Sequence, residues 1–176
     1  MLLASHEGMA TLVGTQKSLD ELLHALLELE HDAILAYTVA IERLEDITAK
    51  HRLEQFRADH QQHVRMLEAA LESRGKRPPY HGDLKAVLTQ GKVVIGNLVG
   101  DRGILMAMHS NENDTNTAYE RAVGRADLDS ELHALFSEHL EDERRHRRWI
   151  QDQLETLGGA PRREPASEEY LGRKWG

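Results

Sequence analysis

The sequence contains no cysteine, only four prolines, 5% aromatic residues and no apolar run long enough to span a membrane. Without cysteine there is no disulfide framework, no thiolate metal site and no cysteine nucleophile, so any metal must be held by histidine and carboxylate. The same absence fits a reducing, cytoplasmic setting. The apolar start "MLLA" is broken at once by His6 and Glu7, far short of a signal-peptide core or a membrane span. Basic charge is also scarce in net terms: the formal charge is −8, which argues against a nucleic-acid surface. The local cluster "RRHRR" (Arg144 to Arg148) reads as a solvated helix face. Histidine, by contrast, is plentiful, with 11 in 176 residues.

That length supports one core and is short for two, so a single domain over residues 18–158 is expected. It is flanked by a flexible N-terminal segment, 1–17, and a charged tail, 159–176. Apolar residues recur at steps of three and four, strand-like alternation is missing, and all four prolines lie outside the periodic segments. The chain therefore reads as all-α. Helix 1 is predicted from Ser18, which forms a capping box with Glu21, to about Ile47, and helix 2 from about Lys50 to Ser73. A short helical piece, about 83–98, reads as a crossover. Helices 3 and 4 are predicted over about 104–124 and 129–157. Two tight hairpins joined by one long connection specify a four-helix bundle with a single crossover, the ferritin-like connectivity.

Each helix carries an apolar stripe interrupted by ionisable residues. Helix 1 reads Leu23, Leu26, Glu30, Ala33, Tyr37, Ala40, Leu44, and helix 2 reads Leu53, Phe56, His60, His63, Leu67. Helix 3 gives Leu105, Met108, Glu112, Thr115, Tyr119, Ala122, and helix 4 gives Leu132, Phe136, His139, Glu143, His146, Ile150. All four helices thus send polar groups into one middle layer. A lone buried carboxylate is costly and tends to go neutral, whereas several carboxylates and imidazoles converging at one level suit a divalent metal whose charge offsets theirs. Taken singly, Glu30 or Glu112 reads equally well as a buried polar residue fixing helix register.

The two halves of the chain repeat this pattern. Glu30 and Tyr37 match Glu112 and Tyr119 at an offset of 82, and "DHQQH" (Asp59 to His63) matches "DERRH" (Asp142 to His146) at an offset of 83. A pseudo-twofold site is the simplest reading. Glu143 and His146, at i and i+3, share one helix face and can bind the same or adjacent ions. One Glu from each of two helices with a Glu-x-x-His pair from each of the others is the dinuclear bundle constellation.

"DERRH" resembles the Asp/Glu-Glu-x-Arg-His motif of dinuclear carboxylate proteins of the ferritin-like superfamily. The span from about Leu19 to Leu157 is similar to that superfamily. The stretch "GDRGILMAMHSNENDTNTAYERAV" and the Phe56, Asp59, His63, Leu67 pattern resemble an uncharacterised bacterial branch associated with stress. The core stripes make Glu30, His60, His63, Glu112, Glu143 and His146 the candidate metal ligands. The resemblance implies that Asp59 and Asp142 orient ligand imidazoles rather than bind metal. His109 and His139 are placed around the ligands rather than among them. Tyr37 and Tyr119 read as donors to ligand carboxylates, as oxidisable groups that would make them catalytic, or as core tyrosines with satisfied hydroxyls.

One departure is His60, which stands where the repeat expects a glutamate. It leaves three core carboxylates against three histidines and, because that glutamate commonly bridges the two metals in the superfamily, sets a symmetric di-iron centre in doubt; the nitrogen-rich set would tolerate zinc, iron or manganese. Two functions follow from the sequence. The first is a di-iron protein, two irons per chain, with ferroxidase-like oxidoreductase chemistry on oxygen or peroxide, admitted past Thr115, Asn116 and Thr117. The alternative is a non-enzymatic stress-associated bundle with a static or absent metal. A homodimer is expected, with no nucleic-acid or membrane partner, and nothing identifies an organic substrate.

Overall fold

The computed structural model describes residues 11–78 and 100–158. The predicted crossover helix at 83–98, residues 1–10 and the tail from 159 onward lie outside them. Four helices make up the described fold: α1 (Leu19–Arg43), α2 (Ile47–Ser73), α3 (Gly100–Val123) and α4 (Ser130–Gly158). No strand occurs among the described residues, and the architecture is an all-α four-helix bundle. None of these helices is long and apolar enough to cross a membrane.

Helix α1 begins as its sequence specifies. The Ser18 hydroxyl accepts from Glu21 N and the Glu21 carboxylate accepts from Ser18 N, a reciprocal capping box. Its end differs from the expected Ile47. Leu44 turns extended at φ −60°, ψ 143°, and Asp46 then caps α2 by accepting from Ala49 N at 2.6 Å. The turn lies three residues earlier than the apolar periodicity suggests, so Ile47 sits exposed on the first turn of α2. Asp101 in the first turn of α3 fixes this corner, its two oxygens accepting from Glu45 N at 2.7 Å and Asp46 N at 2.9 Å. At the other end of α2, Gly75 adopts φ +71° while Lys76 N returns to Leu71 O, a left-handed stop that favours glycine.

Neighbouring helices run antiparallel, α1 against α2 and α3, and α4 against α3 and α2. Two apolar clusters fill the ends of the bundle. One joins Leu22, Leu23, Leu26 and Leu27 of α1 to Leu67, Leu71, Ala122 and Phe136. The other joins Ala40 and Leu44 to Leu53, Phe56, Leu105, Met108 and Ile150. The middle of the bundle is not apolar: Glu30, His60, His63, Glu112, Thr115, Asn116, His139, Glu143 and His146 are all buried there.

Residues 11–17, expected as part of a flexible segment, lie on α3. Arg121 donates to the carbonyls of Thr11 at 2.6 Å and Val13 at 3.2 Å, and Arg125 donates to that of Gln16 at 2.6 Å. Gly14 sits at φ +94° so close to Arg121 that an added Cβ would fall 2.5 Å from the Arg121 Cβ.

Candidate metal centre

The polar layer is built by the stripe of each helix crossing the same level. Two groups of four donors lie in it, Glu30 with His60, His63 and Glu143, and His60 with Glu112, Glu143 and His146. Within each group the ligand atoms all fall within 4.8 Å of one another, and every residue is buried. The groups share His60 and Glu143, the two residues related by the internal repeat. Each therefore offers two imidazoles and two carboxylates, a donor set suited to zinc, iron or manganese.

In the first group His60 Nδ1 is 2.7 Å from Glu30 Oε2 and His63 Nδ1 is 3.2 Å from Glu30 Oε1. Glu143 Oε1 lies 3.4 Å from both of those ring nitrogens. In the second, Glu112 Oε1 is 3.7 Å from His60 Nε2, and Glu112 Oε2 is 3.8 Å from His146 Nδ1. Several atoms here have no hydrogen-bond partner: His60 Nε2, Glu112 Oε2, both oxygens of Glu143 and His146 Nδ1. Buried polar atoms are nearly always paired, so five unpaired atoms in one layer form a set that could hold a cation.

The surrounding groups hold these donors in crossed pairs. Asp142 of α4 accepts from His63 of α2 at 3.2 Å, and Asp59 of α2 accepts from His146 of α4 at 2.9 Å. Each aspartate engages the far ring nitrogen and turns the near one inward. Arg145, which sequence reasoning assigned to a solvated face, donates to both aspartates, reaching Asp59 at 2.7 Å. The tyrosines cross in the same way: Tyr37 of α1 donates to Glu112 of α3 at 2.6 Å, and Tyr119 of α3 donates to Glu30 of α1. Because the Tyr119 proton goes to Glu30, its oxygen accepts from His139 Nδ1 at 3.0 Å. His139 also stacks on His63, with ring centroids 3.9 Å apart.

Electrostatics follow from this packing. Burial disfavours the charged form of His60, but Glu143 and Glu30 outweigh it and hold its pKa well above the ordinary value. Burial acts likewise on His63, and the Glu30 and Asp142 carboxylates push it up to about 12. Burial raises Glu30, yet His63 and His60 bring it well below the usual carboxylate range. Glu143 is raised, chiefly by burial. Asp142 falls to about 2 through its hydrogen bond to His63. Burial lowers His146, and takes His139 down to about 3. Burial and then Glu112 raise Tyr37, as burial and then Glu30 raise Tyr119, so both hydroxyls keep their protons.

Of the residues singled out from the sequence, all six ligand candidates, both tyrosines, Asp59, Asp142 and His139 are brought into or against this layer. His109 is not. The buried stripe steps by four from Met108 to Glu112, so His109, one position past Met108, is turned about 100° from it, and its ring points to the half-exposed side beside Asn113, at 3.4 Å. Thr115 and Asn116 are fully buried, and Thr117 is half-buried. The two threonine hydroxyls and the Asn116 Nδ2 donate to backbone: Thr115 to Glu112 O, Thr117 to Asn113 O, and Asn116 to Glu112 O at 2.8 Å and Glu143 O at 3.0 Å. Asn116 thus ties the turns of α3 and α4 that bear Glu112 and Glu143 together. The available signal was an amide one turn after Glu112.

A family model described as "Domain of unknown function (DUF2383)" matches residues 19–125, which include Glu30, His60, His63 and Glu112 and stop short of α4. No curated protein and no solved structure matches the chain.

Proposed function

The chain belongs to the DUF2383 family, whose description names no activity, and from the buried layer we propose that it is a ferritin-like metal protein with a dinuclear centre in the bundle core. The observation that carries this reading is the pair of overlapping four-donor groups, together with the unpaired polar atoms concentrated in them. Glu30 and His63 would hold one ion, Glu112 and His146 the other, with His60 and Glu143 available to both.

We assign iron as the resident metal, with ferrous oxidation or the consumption of oxygen or peroxide as the chemistry. Bound iron would supply the one-electron steps of that reduction. The chain's own residues do the rest. The Asp59 and Asp142 carboxylates fix which ring nitrogen faces inward, and Tyr37 and Tyr119 hold the two terminal carboxylates in place through short hydrogen bonds. The apolar clusters on either side exclude bulk water from the layer. The test is anaerobic loading with ferrous iron followed by exposure to air. Oxidation of two irons per chain with a new near-ultraviolet absorption is the expected result, and absence of oxidation above the protein-free rate would count against it.

The donor count favours a second reading. Each group already offers four protein donors, two nitrogens and two oxygens, and a saturated tetrahedral set is the signature of structural zinc. Under it the metal closes the core and the ferrous experiment yields no oxidation, while zinc raises the thermal stability.

A further inference from the structure

His60 occupies the position that the internal repeat pairs with Glu143, and the two are the residues common to both donor groups. A carboxylate serves two ions with its two oxygens. An imidazole serves two only when its nitrogens face opposite ways toward them. The His60 ring meets that condition. Its Nδ1 edge faces Glu30 and Glu143, at 2.7 and 3.4 Å, and its Nε2 edge faces Glu112 at 3.7 Å with no hydrogen-bond partner of its own.

The neighbours keep the ring in that orientation. Tyr37, His146 and His63 surround it at centroid separations of 5.0, 5.2 and 5.7 Å, and the side chain is fully buried. No aspartate engages either nitrogen, in contrast to His63 and His146, each of which has one nitrogen occupied by an aspartate. Those two histidines can each offer a single donor. His60 keeps both facing the layer.

We propose that His60 is a nitrogen bridge between the two metal positions, Nδ1 serving the ion held by Glu30 and His63, and Nε2 serving the ion held by Glu112 and His146. The inference rests on the dinuclear reading above. Each ring nitrogen gives a lone pair to one ion, and both ring protons of the imidazolium present without metal leave to solvent, so the bridge is an imidazolate. One carboxylate bridge and one imidazolate bridge make the two positions inequivalent to a doubly carboxylate-bridged centre, and favour ions that accept nitrogen readily, zinc and copper above manganese.

The test uses zinc alone, with the full chain. Anomalous diffraction from zinc-loaded crystals should show two ions, one within bonding distance of His60 Nδ1 and the other of Nε2. In solution, a chelator competition should show the second zinc bound at least tenfold more weakly in His60→Gln, while His109→Gln, outside the layer, leaves both affinities unchanged. Two ions with His60 bound to only one of them, or an unchanged second affinity in His60→Gln, would overturn the bridge and leave the dinuclear centre standing. Fewer than two ions in the wild-type chain would overturn the dinuclear reading itself, and the bridge with it.

Discussion

Replacing Glu143 by Gln separates what this side chain does for folding from what it does for metal. Both of its oxygens are buried without a hydrogen-bond partner, the nearest ring nitrogens standing 3.4 Å away, and burial raises its pKa. A buried polar group without a partner costs about 1–3 kcal/mol. Glutamine keeps the shape and removes the charge but remains polar, so it recovers the lower part of that range. The metal-free variant should then be more stable than wild type by about 1 kcal/mol, a rise of roughly 2–4 °C for a chain of this length.

The sign with pH follows from the raised pKa. A carboxyl that binds its proton more tightly when folded favours the fold below the unfolded value, and that contribution is lost as pH rises through the folded value. The advantage of the variant should accordingly appear at neutral pH and vanish below the ordinary value of 4.5. With zinc the order reverses. At a hundredfold excess over its dissociation constant, an ion binding only the folded state adds about 2.7 kcal/mol, and the variant, lacking a donor common to both groups, should gain far less. Calorimetry with and without zinc reads both effects. A metal-free variant that loses more than about 2 kcal/mol, or one that keeps the full zinc increment, would refute this account of Glu143.

Three further outcomes follow from the same geometry. His60 and His63, both held protonated at neutral pH without metal, must release those protons when an ion binds, so affinity should rise about tenfold per pH unit for each proton released; calorimetric titration in two buffers of different ionisation enthalpy measures this, and no proton release would contradict it. Tyr119→Phe should cost about 1.5–3 kcal/mol, the range for a hydrogen bond to a charged group. It should exceed Tyr37→Phe because Tyr119 alone also receives His139, and urea unfolding that gives the opposite order would contradict the pairing. Arg145→Ala should cost under about 1 kcal/mol, since the side chain is half exposed. It should nevertheless speed removal of bound metal by a chelator, because Asp59 and Asp142 lose their shared clamp, and an unchanged rate would contradict that role.

The helices and the polar layer were legible because burial leaves a period. Glu30, His60, Glu112 and Glu143 interrupt stripes that are otherwise apolar, and an interruption repeated on four helices marks a level in the bundle. The capping box at Ser18 was legible for the same local reason. What the pattern could not convey was set by contacts between distant segments. The α1 helix stops before Leu44 because Asp101, far along the chain, accepts from the backbone of Glu45 and Asp46. Arg145 looks like one more arginine in a solvated run until Asp59 is brought across from α2. Asn116 and Thr115 read as a polar patch because residue type does not reveal that the Thr115 hydroxyl and the Asn116 Nδ2 turn back to Glu112 and Glu143 carbonyls. His109 misled through spacing, since the stripe reaches Glu112 by a step of four from Met108 and leaves His109 beside it.

The most direct test of the buried layer as a dinuclear metal site is the metal content per chain of protein purified without a histidine tag, by elemental analysis. Two ions per chain, lost together with the second group's donors in Glu112→Ala or the first group's in Glu30→Ala, is the result this account predicts. A fully folded chain that carries no metal and takes up none on exposure to zinc or ferrous iron would contradict it.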